Sequence, residues 1–286
     1  MLGNHRFGIY EKALSPDDSW EARLLKVKNL GLDFFEISID ESDERLNRLY
    51  WTDTEKYALR RLSDEIGVPI TSMCLSAHRR FPFGSAEPRV VERSMDIMNR
   101  AIDLSSTLGV RVIQLAGYDV YYERSSPDTV KRYRENLARA AEMAERECIM
   151  LANETMDTSF MNSITKHLIY EKEINSPWLK VYPDVGNLTA WGNDVSAELR
   201  KGIGSIVQVH LKDTLKVTDT FPGMFRDLKF GEGQVDFAEC FRTLEDVGYK
   251  GAYLMEMWYK AGEDDVYNIN RAIEHLSKIF YDSVGE

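Results

Sequence analysis

Basic residues are in short supply. Lysine and arginine number 36 against 47 aspartates and glutamates, a formal net charge of −11. Such a field repels nucleic acid and anionic membrane surfaces, so neither is an expected partner, although a local basic patch still admits a phosphate. Cysteine is scarcer: Cys74, Cys148 and Cys240 are odd in number and far apart. They form neither a disulfide framework nor a zinc knuckle, and they read as reduced thiols of a cytoplasmic protein. No stretch approaches the ~18 consecutive apolar residues of a membrane span. The opening MLGNHRFGIYEKAL has no apolar run long enough for a secretory signal. Five histidines in all argue against chemistry that needs several imidazole ligands.

What is present is a rhythm. Short runs of Val, Ile, Leu and Phe alternate with longer segments of helical period. The pattern predicts strands at Phe7–Tyr10, Asp33–Ile39, Pro69–Ser76, Val110–Ala116, Ile149–Glu154, Leu179–Asp184, Ile206–Leu211 and Ala252–Met257. Helices are predicted at Ser19–Leu30, Thr54–Ile66, Glu87–Leu108, Asp128–Arg146, Asn162–Ile174, Val195–Lys201, Asp236–Val247 and Asp264–Phe280. Gly31, Gly67 and Gly109 stand where a left-handed residue closes a helix. Strand–helix alternation with short glycine turns argues for parallel strands covered by helices. Eight such units predict an α/β chain closed into a (β/α)8 TIM barrel. A doubly wound open sheet is the alternative, but no GxGxxG follows the first strand. No linker or composition shift divides the chain, so one catalytic domain over residues 1–286 is expected.

Barrels of this kind carry their chemistry at the C-terminal ends of the strands. Strands five to eight end at Glu154, Asp184, His210 and Glu256. Neighbouring strands lie ~4.8 Å apart, so four consecutive strand ends can converge on one ion. Two Glu, one Asp and one His suit Zn²⁺, Mn²⁺, Mg²⁺ or Co²⁺ without choosing among them. Taken singly, each carboxylate is more often a salt-bridged rim residue, and His210 a satisfied core histidine. Together, three acids among apolar strand residues are costly to bury uncompensated, and a shared cation removes that cost.

Other residues invite weaker readings. His78 and Arg79 after strand three and Lys212 after strand seven are candidates to hold a substrate phosphate, with Arg226 and Lys229 further along. FGEG at Phe230–Gly233 has the composition of an anion-binding backbone nest. The alternative for each is an ordinary surface charge. Glu36 in strand two is a candidate to bond sugar hydroxyls or to be a structural rim carboxylate, and Gln114 in strand four is a candidate substrate-binding residue. Trp20, Trp51 and Trp178 read as packing groups, and His5, His167 and His275 as surface residues.

The segments MCLSAHRRFP (Met73–Pro82), VIQLAGYDVYY (Val112–Tyr122), YPDVGNLTAWGND (Tyr182–Asp194), VHLKDT (Val209–Thr214), FGEGQVDF (Phe230–Phe237) and LMEMW (Leu254–Trp258) resemble the L-ribulose-5-phosphate 3-epimerases. These are the L-xylulose-5-phosphate 3-epimerases of ascorbate utilisation, within the xylose-isomerase-like barrels. The resemblance runs over nearly the whole chain. It implies one divalent metal held by Glu154, Asp184, His210 and Glu256, with Glu154 and Glu256 as the acid/base pair. It implies interconversion of L-ribulose 5-phosphate and L-xylulose 5-phosphate through a metal-stabilised enediolate, and a homodimer. A ketose 3-epimerase or aldose–ketose isomerase acting on a related sugar remains open. Relatives acting on free ketoses carry a His and an Arg where this chain has Asn187 and Lys216, which argues against that branch. A non-catalytic sugar-phosphate-binding barrel is the reading from another class.

Overall fold

Eight stretches form strands: β1 Phe7–Tyr10, β2 Phe34–Ile39, β3 Ile70–Leu75, β4 Val112–Leu115, β5 Met150–Glu154, β6 Leu179–Tyr182, β7 Gln208–Leu211 and β8 Ala252–Met255. The structure is a computed structural model and describes residues 2–285. All strand pairs are parallel. The order is β6-β5-β4-β3-β2-β1-β8-β7. Between the two ends, the parallel bridges Val181↔Ile206 and Asp184↔His210 close the ring. The (β/α)8 barrel expected from the alternation is therefore observed.

The strands are buried on both faces, as parallel strands under helices must be. Their faces differ in chemistry, because side chains alternate with period two. In β2, Phe35, Ile37 and Ile39 join the large core under the helices, while Phe34 belongs to the separate cluster inside the barrel with Tyr10, Cys74, Ala152, Tyr182 and Leu254. The same alternation places Glu36 beside Tyr182, and His210 beside Glu154 and Glu36. The barrel interior is thus apolar at some levels and strongly polar where the strands end.

The helices are α1 Trp20–Asn29, α2 Asp43–Leu46, α3 Asp53–Ile66, α4 Pro88–Leu108, α5 Pro127–Arg146, α6 Ile164–Ile174, α7 Val185–Ala190, α8 Val195–Gly202, α9 Phe237–Asp246 and α10 Asp265–Val284. Local chemistry sets their ends. Thr52 and Glu55 form a reciprocal capping box at the start of α3, and Gly67 (φ 82°) ends it in the left-handed region. Among the described residues, no helix is long and apolar enough to cross a membrane. The periodicity anticipated neither α2 nor α7, nor the 3-10 turns Glu11–Ala13 and Ser76–Arg79. Each is four to six residues or fewer, too short to show a helical repeat.

One buried ion cluster anchors the first βα unit. Glu11, directly after β1, is 1 % exposed. It accepts bonds from Arg48 (2.6 and 2.8 Å), Arg23 (3.0 Å) and the Ser38 backbone (2.8 Å). Both guanidiniums also lie over the Trp20 ring, which bears out Trp20 as a packing residue. Burial pushes the Glu11 carboxyl up, but Arg48 outweighs it and the net shift is downward. Removing this carboxylate strands two buried cations. Glu11→Gln is expected to destabilise the protein by about 3–5 kcal/mol, read as a lower denaturation midpoint.

His167 corrects its expected surface placement. It is buried, with one ring nitrogen 3.3 Å from Asn153 and the other 3.2 Å from Glu171. His5 is likewise sheltered, bonded to the Gly251 carbonyl and to Glu245. Burial works to raise the Glu171 carboxyl, but His167, Lys180 and Ser205 bring it down to about 2. A depressed carboxylate adds stability above its unfolded value and loses it as pH falls through its folded value. Wild type should therefore exceed Glu171→Gln in thermal midpoint at pH 6, and the gap should close as pH drops from about 4.5 to 2.

Candidate metal centre

Four consecutive strand ends meet at one side of the barrel. Glu154 is the last residue of β5, and His210 sits in β7. Glu256 follows β8 directly. Asp184 lies two residues beyond β6, past Pro183, and is the N-cap of α7 rather than a strand residue. One ligand atom from each of the four lies within 4.8 Å of the others, and all four residues are buried.

The local bonds leave donors aimed at the centre. Asp184 spends Oδ1 on the Asn187 backbone N–H (2.9 Å) as a cap, which leaves Oδ2 for the site. Its own N–H donates to Thr155 Oγ1 (2.9 Å), and Asn187 Nδ2 donates to the Thr155 carbonyl (2.7 Å). Glu154 Oε1 lies 2.9 Å from His210 Nδ1, and Oε2 accepts from Gln114 Nε2. Glu256 Oε2 lies 3.6 Å from the same His210 nitrogen. Lys212 Nζ is 2.6 Å from Asp184 Oδ2 and 3.0 Å from Glu256 Oε2. Beyond this ion pairing with Lys212, neither oxygen has a hydrogen-bond partner among the described residues.

Charge is unevenly shared. Burial pushes the Asp184 carboxyl up to about 8, with Lys212 offsetting it in part and Glu256 and Glu154 adding to the rise. Burial raises Glu154 too, with Glu256 adding to it. Burial would also raise Glu256, but Lys212 and His210 hold it down to about 2. Three carboxylates cannot all ionise cheaply beside one ammonium and one imidazole. Buried oxygens with no hydrogen-bond partner, a hard oxygen-rich donor set and this surplus of negative charge all fit a cation. The cluster could hold a metal ion.

The chamber beside the cluster is lined by Glu154, Glu256 and Lys212, by Lys12 and Arg79, and by Arg226 from the long loop after β7. Trp258 forms another wall, with Lys212 and Arg226 over its ring. Of the expected substrate residues, Arg79 and Lys212 reach this chamber. Arg79 lies over Tyr118 and Tyr121 and bonds the Tyr118 hydroxyl (3.3 Å). Lys212 is not free to sit apart on a phosphate, because it pairs with two of the cluster carboxylates.

The other three lie elsewhere. His78 packs on Phe83 and bonds the Ser94 carbonyl (3.1 Å), a place between β3 and α4. Gln114 serves Glu154. Glu36 lies within the barrel against His210 and Tyr182. None of the three is among the chamber-lining residues. The FGEG nest is satisfied internally: Asp213 accepts from the N–H groups of Gly231 (2.9 Å), Gly233 (2.8 Å) and Val235 (3.3 Å). Lys12, Asp157 and Asn187 were not singled out for the site in the sequence, yet all three line the chamber. The available signal was position, since each follows a strand end by a few residues.

The profile of the xylose isomerase-like TIM barrels matches residues 24–279. UlaE of Escherichia coli O139:H28 (strain E24377A / ETEC), an L-ribulose-5-phosphate 3-epimerase, is 50% identical over 265 residues, covering 93% of this chain and 91% of its own. The chain belongs to the L-ribulose-5-phosphate 3-epimerase family. A second member, SgbU of Escherichia coli K12, whose name assigns it provisionally to that activity, is 54% identical over 95% of both chains. Beyond the family, the fold is shared with an L-ribulose 3-epimerase (TM-score 0.78, 19% identity, 98% of this chain and 96% of that one). It is shared as well with a D-psicose 3-epimerase solved in the presence of D-fructose (TM-score 0.76, 16% identity, 98% and 100%).

Proposed function

We propose that the protein is a divalent-metal-dependent epimerase that interconverts L-ribulose 5-phosphate and L-xylulose 5-phosphate by inverting C3. The observation that carries this reading is the pair Glu154 and Glu256. They arise from β5 and β8 and approach the same His210 nitrogen, at 2.9 and 3.6 Å. Two carboxyl groups on separate strands can address opposite faces of one carbon, which a single fixed base cannot.

Glu154, Asp184, His210 and Glu256 would hold the metal. When bound, it supplies Lewis-acid stabilisation of the negative charge that develops on the substrate's C2 and C3 oxygens. The residues do the rest. One glutamate takes the C3 proton, and the C–H electron pair moves into the C2–C3 bond as the C2 carbonyl oxygen becomes anionic. The other glutamate returns a proton to the opposite face of C3, and the carbonyl reforms. Gln114 holds one oxygen of Glu154, which limits its rotation between proton transfers. Lys212, directly after β7, offsets part of the negative charge of the cluster. Lys12, Arg79 and Arg226 on the chamber wall support an anionic substrate in a protein of net charge −11.

Incubation of L-ribulose 5-phosphate with the protein and Mn²⁺, Co²⁺, Zn²⁺ or Mg²⁺ in D₂O should place deuterium at C3 of both epimers. No exchange with any of these metals would overturn the assignment in favour of a binding protein. Equal exchange with unphosphorylated L-ribulose would overturn the phosphorylated substrate.

A further inference from the structure

We propose that Glu36 is a positioning residue of the metal centre. It fixes the ring orientation and tautomer of His210, so that Nδ1 presents its lone pair to the cluster. This inference rests on the metal-centre reading above.

Glu36 is fully buried in β2. Its Oε1 lies 3.4 Å from His210 Nε2, and its Oε2 accepts from the Tyr182 hydroxyl (3.2 Å). Among the described residues it pairs with no lysine or arginine; its one ionic contact is His210. A buried carboxylate without a cation is costly, and an apolar side chain at the same place would carry no such cost. The two nitrogens of His210 face different partners. Nδ1 looks toward Glu154 and Glu256, and Nε2 looks toward Glu36.

A neutral imidazole carries one N–H. With a cation at Nδ1, the single proton would reside on Nε2, where Glu36 is the acceptor within reach. A carboxylate behind a ligating histidine also raises its basicity. The support continues one layer further. Gln208 Nε2 donates to the Tyr182 oxygen, which commits the Tyr182 proton to Glu36, and the Tyr182 ring packs against the imidazole at 4.3 Å. Glu36 is therefore the shared acceptor of the network: Gln208 donates to Tyr182, and Tyr182 and the Nε2–H of His210 both donate to Glu36.

The test measures metal binding, not turnover. Mn²⁺ affinity would be determined by competition with a chelating dye for wild type, Glu36→Gln and Tyr182→Phe, alongside the thermal midpoint of each metal-free protein. Glu36→Gln should weaken Mn²⁺ binding by about 10- to 100-fold. Tyr182→Phe should weaken it less, and both should remain folded. In the Zn²⁺-loaded wild type, ¹⁵N shifts of His210 should report a protonated Nε2. If Glu36→Gln does not fold, the histidine shifts and Tyr182→Phe decide the matter. Unchanged Mn²⁺ affinity in a folded Glu36→Gln, or a protonated Nδ1 in wild type, would overturn the role of Glu36 alone. Failure of wild type to bind any metal would overturn the metal centre itself.

Discussion

Glu256→Gln should lower kcat by about 10³-fold or more while the barrel keeps its fold. The size follows from what the substitution removes. An amide oxygen can still face a cation, and its volume matches, so the packing around β8 is unaltered. The amide can neither accept nor deliver a proton at neutral pH. Loss of a positioned acid or base costs about 10²–10⁴-fold. In the metal-free protein, Glu256 is the cluster carboxylate held lowest, with Lys212 3.0 Å away, so it stands ionised to accept a proton. The measurement is the steady-state rate of interconversion, with metal content and thermal midpoint as controls. A loss of under about tenfold in a metal-loaded, folded variant would remove Glu256 from the acid/base pair. The same substitution at Glu154 should act as strongly. A large effect at only one of the two would point to a mechanism in which one base serves both faces.

The second large effect is expected from metal removal. Dialysis against a chelator should reduce turnover by about 10³-fold or more, since stabilising an adjacent anion is worth several kcal/mol. Added divalent metal should restore the rate. Without a dication, Asp184, Glu154 and Glu256 share Lys212 and His210 as their counter-charges. Burial then raises Asp184 and Glu154. Protonated carboxyls in these positions are poor bases. Full activity after exhaustive chelation, with metal analysis at background, would refute metal dependence while leaving the fold and the family untouched.

The sequence carried much of this in its local patterns. Short apolar runs marked all eight strands, and glycines such as Gly67 marked helix ends. These signals are legible because each depends on neighbours within a few residues. The four strand-end donors were legible for a related reason: a parallel barrel aligns the ends of all its strands on one rim. Asp184 shows the limit of that reading. It was expected as the last residue of strand six, but β6 ends at Tyr182, and beyond Pro183 the aspartate makes an isolated bridge to His210 and caps α7.

Other assignments needed distances that no local pattern encodes. Glu36 and His210 lie 174 residues apart and touch only because β2 and β7 face each other across a closed ring. Lys212 read as a phosphate ligand because it follows strand seven, yet barrel closure turns it onto Asp184 and Glu256. His78 and the FGEG loop looked free in sequence, and their partners Ser94 and Asp213 come from elsewhere in the chain. Spacing along the backbone sets which face a residue occupies. Which charge it meets there follows from how the chain closes on itself, because an ion pair depends on separation in space and not on order in the chain.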